Sequence, residues 1–371
     1  MKKLSTTFFL AAALCLLIAL VAGFMAGLPA SGPFIILMFL CLAIGMNREE
    51  RLKGYSFTMV IFTAVSAAMF YPAPFISAGD FQFKTLIVPI LMVIMFGMGT
   101  SMSFKDFMGV IQMPKGVVVG LLCQFTIMPF LGYALAMISG FPPEIAAGII
   151  LIGCAPSGLA SNVMNYIAGG NLPLSVTITM LATLVAPVMT PFLMKILADQ
   201  LVEVSFWAML IDIMKIVFIP TIAGLVFNHF FHGKFKWLDK SLPIASMAGI
   251  GAVITIITAL GRESLLSIGL TLILLVIVHN TFGYFLGYWG GRLAKMDEQS
   301  CRTIAIEVGM QNGGLASGIA LEMGKIATMG LAPAVFGPFM NISGSILATW
   351  WRGKPVADVD VSKNKQTKIV Q

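Results

Sequence analysis

The sequence predicts an all-α polytopic membrane protein built around two interrupted membrane segments. Three observations carry that expectation. Of 371 residues, 58% are hydrophobic and 11% are charged, whereas a soluble domain carries about 25% charged residues. Apolar runs long enough to span a bilayer, or nearly so, recur about twelve times. Two of those runs are broken by glycine and polar residues at matching places in the two halves of the chain, a pattern that marks a binding site at membrane depth.

The runs divide the chain. Residues 1–53 hold two, Phe8 to Met25 and Phe34 to Met46, and are expected to form an N-terminal hairpin. The start, MKKLSTTFFLAAALCLLIALVAGF, mimics a signal peptide, but its apolar run is about 18 residues, longer than a typical h-region. It is read as an uncleaved first helix. Residues 54–203 hold Met59 to Tyr71, Leu86 to Met98, Val117 to Ile138, Ile145 to Ile167 and Leu174 to Leu197. Residues 204–351 hold Ala208 to Phe227, Ile244 to Leu260, Leu270 to Tyr288, Thr303 to Leu321 and Leu331 to Trp351. The tail, 352–371, has no apolar face and is expected to be disordered. The second and third runs are short for a span.

The net charge of +7 is scattered over short loops and gives no reason to expect nucleic acid. Basic residues fall on alternate loops: Lys2 and Lys3; Arg48, Arg51 and Lys53; Lys105 and Lys115; Lys234, Lys236 and Lys240; Arg292 and Lys295; Arg352 and the tail lysines. The opposite side holds little beyond Lys84, Arg262 and Lys325. The positive-inside rule then puts both termini in the cytoplasm, and an even number of spans agrees. The five cysteines, Cys15, Cys41, Cys123, Cys154 and Cys301, lack metal-ligand spacing and are read as buried thiols.

The fourth run of each block carries a related string, SGLAS from Ser157 to Ser161 and GGLAS from Gly313 to Ser317. A block of five spans is odd, so a duplication would be inverted: two inverted five-helix repeats, 54–203 and 204–351, after the extra hairpin. Around the second string lie Glu307, Gln311 and Asn312. A carboxylate at a helix centre in lipid costs roughly 2.5–3.5 kcal/mol, tolerated where it meets an ion, a partner or a water-filled cavity. Glu307 and Gln311 are four apart, so a helix puts both on one face. Gly313 and Gly314 follow and are expected to break the helix and free carbonyls. Near the first string Pro156 and Gly158 interrupt the run, and Ser161 and Asn162 follow. Ser175 and Thr179 share one helix face, and Gln124 sits mid-run in LLCQFTIMP. One carboxylate with several neutral oxygens suits a hard monovalent cation such as sodium. The plainer reading is helix–helix contact, with small residues for close approach and a protonated Glu307 as glue. Asp212 and Lys215 are read as an ion pair, His279 and Asn280 as ties between helices, and His229 and His232 as solvated.

At these residues the chain resembles the bile acid:sodium symporter family. The motifs are CAPSGLASNVMNY, NLPLSVTIT, VIVHNTFGY, IEVGMQNGGLA and NISGSILATWW, and the resemblance runs from about Phe57 to Trp351. It implies a ten-helix unit in which two discontinuous helices, around Ser161 and Gln311, cross at mid-membrane. It implies one sodium site of Ser161, Asn162, Ser175, Thr179 and Glu307. The second would use Gln124, Glu307 and Gln311 with the carbonyls of Val308 and Met310. Substrate would meet Leu159, Asn312, Met340 and Asn341. The hairpin lies outside the ten-helix unit. Leu159 stands where a Thr is common, and Met340 where a His precedes Asn341.

The expected function is sodium-coupled symport of an organic anion by alternating access in a bacterial inner membrane. Two sodium ions would be co-transported ligands, with no other cofactor. Proton coupling through Glu307 is the alternative. An intramembrane hydrolase would need a nucleophile–base pair or a carboxylate dyad, and Glu307 and His279 have neither beside them in sequence. A passive channel would need a ring or filter motif. The expected substrate is a small carboxylate, pantoate-like or a keto acid. It should be less hydroxylated or more apolar than pantoate, or pantoate itself bound weakly, because Leu159 and Met340 remove a hydroxyl and an imidazole. A bile acid-like anion is the larger alternative. The oligomeric state is not legible.

Overall fold

Backbone in hydrocarbon must satisfy its own polar groups, so long apolar runs become helices. The computed structural model describes residues 2–49, 52–231, 234, 236–352 and 354. The expected disorder of the tail, the charge of Arg51 and the solvation of His232 lie outside the described residues. The hairpin is α1 (Lys2–Ala26) and α2 (Leu28–Asn47). There follow α3 (Lys53–Phe70), the short α4 (Ala73–Ile76), a two-stranded turn of β1 (Ser77–Ala78) and β2 (Phe81–Gln82), α5 (Ile87–Thr100), the short α6 (Met108–Gln112), α7 (Pro114–Ile138), α8 (Pro143–Cys154), α9 (Ala160–Ala168) and α10 (Leu172–Ala198). The remainder is α11 (Phe206–Ile213), a π-helical turn at Met214–Phe218, α12 (Ile219–Phe231), α13 (Lys236–Leu260), α14 (Arg262–Leu293), α15 (Glu298–Gly309), α16 (Gly313–Glu322) and α17 (Leu331–Arg352).

Among the described residues, eight helical stretches are long and apolar enough to cross a membrane, counting α11, the π turn and α12 as one. The four other expected spans are the shorter α3 and α13 and the two broken pairs, α8–α9 and α15–α16. The protein is an all-α polytopic membrane protein.

Two groups of helices face each other. In the first, α5 packs on α12, and α13 packs on α3 and α5. The α5–α12 crossing is close because both sides carry glycine. A Cβ on Gly99 would stand 2.0 Å from the Thr221 carbonyl, and one on Gly224 2.1 Å from the Phe96 carbonyl. In the second group α14 packs on α15 and α7, α7 on α8 and α10, and α17 on α8, α9 and α14. The hairpin is peripheral: α1 packs on α2, and α2 on α3.

Two expectations change. The second break falls at Met310, Gln311 and Asn312, and Gly313 and Gly314 open α16 rather than break the chain. Asn312 is the N-cap, its Oδ1 accepting from Leu315 N at 3.0 Å. Gly313 instead lets α16 approach α17, since a Cβ there would lie 3.2 Å from the Pro333 carbonyl. No ion pair joins Asp212 and Lys215 among the described residues. Asp212 lies in α11 and Lys215 inside the π turn, which winds wider than an α-helix and removes the i,i+3 register that the pairing assumed. A buried cation on α15 had no place in the sequence analysis. Arg302 is buried and ties three elements. Its Nε donates to Glu298 at 3.0 Å, and its Nη1 to the Ala168 carbonyl at 3.1 Å and the Trp351 carbonyl at 3.2 Å. It thus caps the C-terminal ends of α9 and α17, where the helix dipole favours a cation. His279 and Asn280 do tie helices, as described below. His229 is exposed and lies edge-on to Phe104. The cysteines are unpaired, with Cys154 and Cys301 buried and Cys15, Cys41 and Cys123 half-buried.

Candidate functional site

Each broken helix leaves carbonyls without intrahelical donors, and at membrane depth each must find a partner. Six around the breaks do. After α8 the Cys154 carbonyl accepts from Thr190 Oγ1 at 2.8 Å and the Ala155 carbonyl from Gln124 Nε2 at 3.0 Å. The Pro156 carbonyl accepts from Asn312 N at 2.7 Å. At the end of α15 the Val308 carbonyl accepts from Gln311 Nε2 at 2.6 Å and the Gly309 carbonyl from Asn280 Nδ2 at 2.8 Å. The Met310 carbonyl accepts from Gly158 N at 3.1 Å. The two breaks therefore pair with each other as a short antiparallel bridge, with Ser157 opposite Gln311. This pairing is two residues out of step with the SGLAS and GGLAS strings, which set Ser157 against Gly313.

Glu307 lies three residues before the second break and is fully buried. Its Oε1 accepts from Ser175 Oγ at 2.6 Å, Ser161 Oγ at 2.7 Å and Asn165 Nδ2 at 3.2 Å, and its Oε2 from Thr179 Oγ1 at 2.7 Å. Asn162 does not touch the carboxylate. Its Oδ1 faces Ser175 Oγ at 2.7 Å and Thr179 Oγ1 at 3.3 Å. Short α9 brings Ser161, Asn162 and Asn165 to the cage, while α10 supplies Ser175 and Thr179 from one face. Charge-assisted bonds to a carboxylate are the strong class, and a buried carboxylate without them would be prohibitively costly.

The second expected set is a separate network. Gln124 Nε2 donates to Gln311 Oε1 at 2.9 Å as well as to Ala155. Gln124, Gln311 and Val308 are thereby joined, and Met310 meets Gly158. No hydrogen bond of Glu307 reaches this set among the described residues. The Gln124 Oε1 and Ser157 Oγ are buried without a hydrogen-bond partner. Both are oxygen atoms of the kind a hard cation takes. His279 and Asn280 brace the crossing from α14: His279 Nε2 lies 3.0 Å from the Met128 carbonyl, and Asn280 Oδ1 accepts from Ser343 Oγ at 2.6 Å.

Beside the crossing, between the two helix groups, lies a cavity of about 540 Å³. Leu159, Asn312, Met340 and Asn341 all line it, together with Asn162 and Gln311. The opposite wall comes from α5 and α13, including Met95, Met98, Ile250 and Ile254. The N-terminal ends of α9 and α16 both border the cavity through Leu159, Ala160, Asn312 and Gly313.

Buried hydroxyls around a lone carboxylate, at the crossing of two broken helices, fit either an interhelical glue or an ion site. The sodium bile acid symporter family pattern matches residues 88–268. Over 272 residues the chain is 42% identical to "Uncharacterized sodium-dependent transporter YocS" of Bacillus subtilis, covering 73% of this chain and 84% of that protein. The chain belongs to the sodium bile acid symporter family. It is 30% identical over 307 residues to the human ileal sodium/bile acid cotransporter, covering 77% of this chain and 85% of that one. It is also 33% identical over 262 residues to the probable chloroplastic sodium/metabolite cotransporter BASS1 of Arabidopsis thaliana, and spans 65% of that protein's length. The family is one of sodium-dependent transporters.

Asn165 and Thr190 were missed by the sequence reading. Asn165 had a usable signal, being four residues after Ser161 and so on the same face of α9. Thr190 had none, because Ser or Thr in an apolar helix usually bonds back to its own backbone, and its carbonyl partner lies on α8.

The bracing of the second break is testable. Asn280→Ala would leave the Gly309 carbonyl and Ser343 Oγ without that partner, at a cost of about 1–3 kcal/mol. Thermal unfolding of the purified variant should show a lowered midpoint. An unchanged midpoint would mean that Gly309 is satisfied by other means.

Proposed function

We propose that the protein is a sodium-coupled symporter of an organic anion, working by alternating access. The observation that carries this reading is the Glu307 cage, where Ser161, Ser175 and Thr179 all donate to one buried carboxylate. Rotating those hydroxyl protons away turns the same oxygens into a cation site of Ser161, Asn162, Ser175, Thr179 and Glu307. The second sodium would sit by Gln124, Gln311 and the carbonyls of Val308 and Met310, with Glu307 supplying nearby charge. The unpartnered Gln124 Oε1 supports that placement. Cation binding would pull the two breaks together and favour one packing of the helix groups. The substrate carboxylate would meet Asn312 and the amide ends of α9 and α16 in the cavity.

The same reading makes 54–203 and 204–351 two inverted five-helix repeats. Corresponding packings support it: α7 on α8 matches α14 on α15, and α5 on α12 matches α13 on α3. It also places the protein in a bacterial inner membrane with both termini cytoplasmic, supported by the basic loops. A reporter fused after Gln371 should be active on the cytoplasmic face; activity only outside would reverse the topology.

Sodium coupling rather than proton coupling is favoured by the number of neutral oxygens around one carboxylate. In proteoliposomes, uptake should need an inward sodium gradient. Glu307→Ala should abolish sodium-stimulated uptake in a folded protein. Ser161→Ala and Thr179→Ala should be milder, because water replaces a neutral ligand in part. Uptake by Glu307→Ala with unchanged sodium dependence would refute the assignment, and uptake driven equally by a proton gradient alone would favour the alternative.

The substrate is a carboxylate with an apolar body, less hydroxylated than pantoate. The cavity falls within the usual size of small-molecule sites, about 300–1,000 Å³. Leu159 and Met340 present it with apolar walls. A bile acid-like anion suits its volume, and a keto acid its amide end. An apolar wall discriminates weakly for a hydroxyl, whereas a site built to bond one discriminates strongly. Leu159→Thr combined with Met340→His should therefore improve pantoate binding by about ten-fold or more. Calorimetry in saturating sodium is the check: tight pantoate binding by the unmodified protein, or no gain in the double variant, would contradict this account of the cavity wall.

A further inference from the structure

Of the four side chains described above as donating to Glu307, Asn165 is the one to which the sodium reading gives no part. It sits in α9 one turn after Ser161 and is fully buried. Its amide nitrogen spends both hydrogens inside the cage, one on Ser175 Oγ at 2.8 Å and one on Glu307 Oε1 at 3.2 Å. Its Oδ1 is buried with no hydrogen-bond partner. Leaving a buried amide oxygen unbonded costs its desolvation, so the nitrogen side must gain more from the cage than the oxygen loses. A carboxylate facing the positive end of the amide dipole supplies that gain.

The surroundings leave room at the other end. A Cβ at Gly170 would stand 2.8 Å from both Asn165 Oδ1 and Thr303 Oγ1. Glycine there keeps a side chain out of the space the amide oxygen uses. The backbone is fixed independently, since Gly170 N donates to the Asn165 carbonyl at 2.9 Å where α9 ends. The orientation of the amide is therefore set by the charge it faces.

The lone pairs are contested. Ser175 Oγ carries one proton, which reaches either Glu307 Oε1 at 2.6 Å or Asn162 Oδ1 at 2.7 Å. Asn165 donates to that same Oγ. A cation in the cage needs lone pairs from Ser175 Oγ and Glu307 Oε1, the two atoms to which Asn165 gives its hydrogens. Its N–H groups would also point their positive ends towards the ion. The bonds that Ser175 Oγ and Glu307 Oε1 would form to the cation thus compete with those made by Asn165.

We propose that Asn165 is a positioning residue that holds Glu307 and Ser175 in their ion-free arrangement and so weakens sodium binding at the Glu307 cage. The inference rests on the sodium reading above. It assigns the protein a built-in stand-in for the cation: a neutral donor that stabilises the carboxylate when the ion has left. Weak binding serves a carrier that must release sodium each cycle.

The test is sodium-dependent thermal stabilisation of the purified full-length protein, with choline chloride holding ionic strength constant. A ligand that binds only the folded state raises its stability by mass action, so the titration gives a half-saturating sodium concentration. Asn165→Ala removes the amide, and Asn165→Leu removes its polarity while filling its volume, so a folding failure of one leaves the other. The half-saturating concentration should fall about ten-fold in either variant, the scale of one charge-assisted hydrogen bond. Stability in choline alone should fall more than stability at saturating sodium. A merely structural role would lower both equally and leave the half-saturating concentration in place, which would overturn the proposal. A raised concentration would overturn it too, by showing that the amide turns and offers Oδ1 as a ligand. If the unmodified protein shows no sodium response, the sodium reading itself fails and takes this inference with it.

Discussion

The structure depends on one contact: two interrupted helices that complete each other's backbone. Gly158 N donates to the Met310 carbonyl and Asn312 N to the Pro156 carbonyl, at 3.1 Å and 2.7 Å. Neither break is viable at membrane depth alone, since free amides and carbonyls there cost several kcal/mol each. Together the breaks form two rungs of a ladder, and side chains of Thr190, Gln124, Gln311 and Asn280 finish the accounting. The crossing is thereby held by polar bonds in an otherwise apolar bundle. It is also where four half-helix ends converge. The N-termini of α9 and α16 present amides, and the C-termini of α8 and α15 present carbonyls, so one locus offers fields of both signs.

That arrangement explains the position of Glu307. A fully buried carboxylate survives only with compensating partners. Here four donors from α9 and α10 serve it, and none is charged. Neutral donors stabilise a carboxylate without neutralising it, and on the proposed reading that leaves the site open to a cation. Had an arginine stood in place of Asn165, the cage would be a finished ion pair with no use for sodium. Arg302 shows the contrast on the same helix: it is buried, paired with Glu298, and its Nη1 donates to the ends of α9 and α17. It ties helices together through a charged partner, whereas the donors described at Glu307 are all neutral.

Most of the span pattern was legible in the sequence because hydrocarbon imposes length and apolarity run by run. The key polar groups were legible for the complementary reason: a Glu, two Gln and a paired Ser and Thr are conspicuous in an apolar alphabet. What escaped depends on geometry that spacing does not carry. Gly313 and Gly314 looked like the break, yet Gln311 and Asn312 leave the helix first, and the glycines serve the approach of α16 to α17. Asp212 and Lys215 looked like a pair under α-helical spacing, and a π turn removed the register. Asn165 was visible in the motif as text, but only the fold shows that its amide faces Glu307 rather than lipid. The SGLAS and GGLAS strings pointed to the right two helices, but the bridge pairs residues two positions away from that alignment.

The separation between crossing and cavity bears on how coupling works. The carboxylate cage is closed on all sides, whereas Asn162, Gln311 and Asn312 reach both the polar crossing and the cavity wall. Asn162 receives bonds from Ser175 and Thr179, Gln311 from Gln124, and Asn312 caps α16 while its backbone closes the ladder. On the proposed reading, a change in the cage would therefore reach groups that line the cavity, and ion and substrate would be coupled by a shared preference for one arrangement of three amide side chains. The facing wall, from α5 and α13, carries methionines, aliphatic residues and Ser246, and meets the crossing through one weak polar contact among the described residues, Asn312 Nδ2 to Met95 Sδ at 4.0 Å. On the proposed reading, that wall would move against the crossing at the cost of this contact and with the hydrogen bonds of the Glu307 cage intact, so that one site would open alternately to two sides.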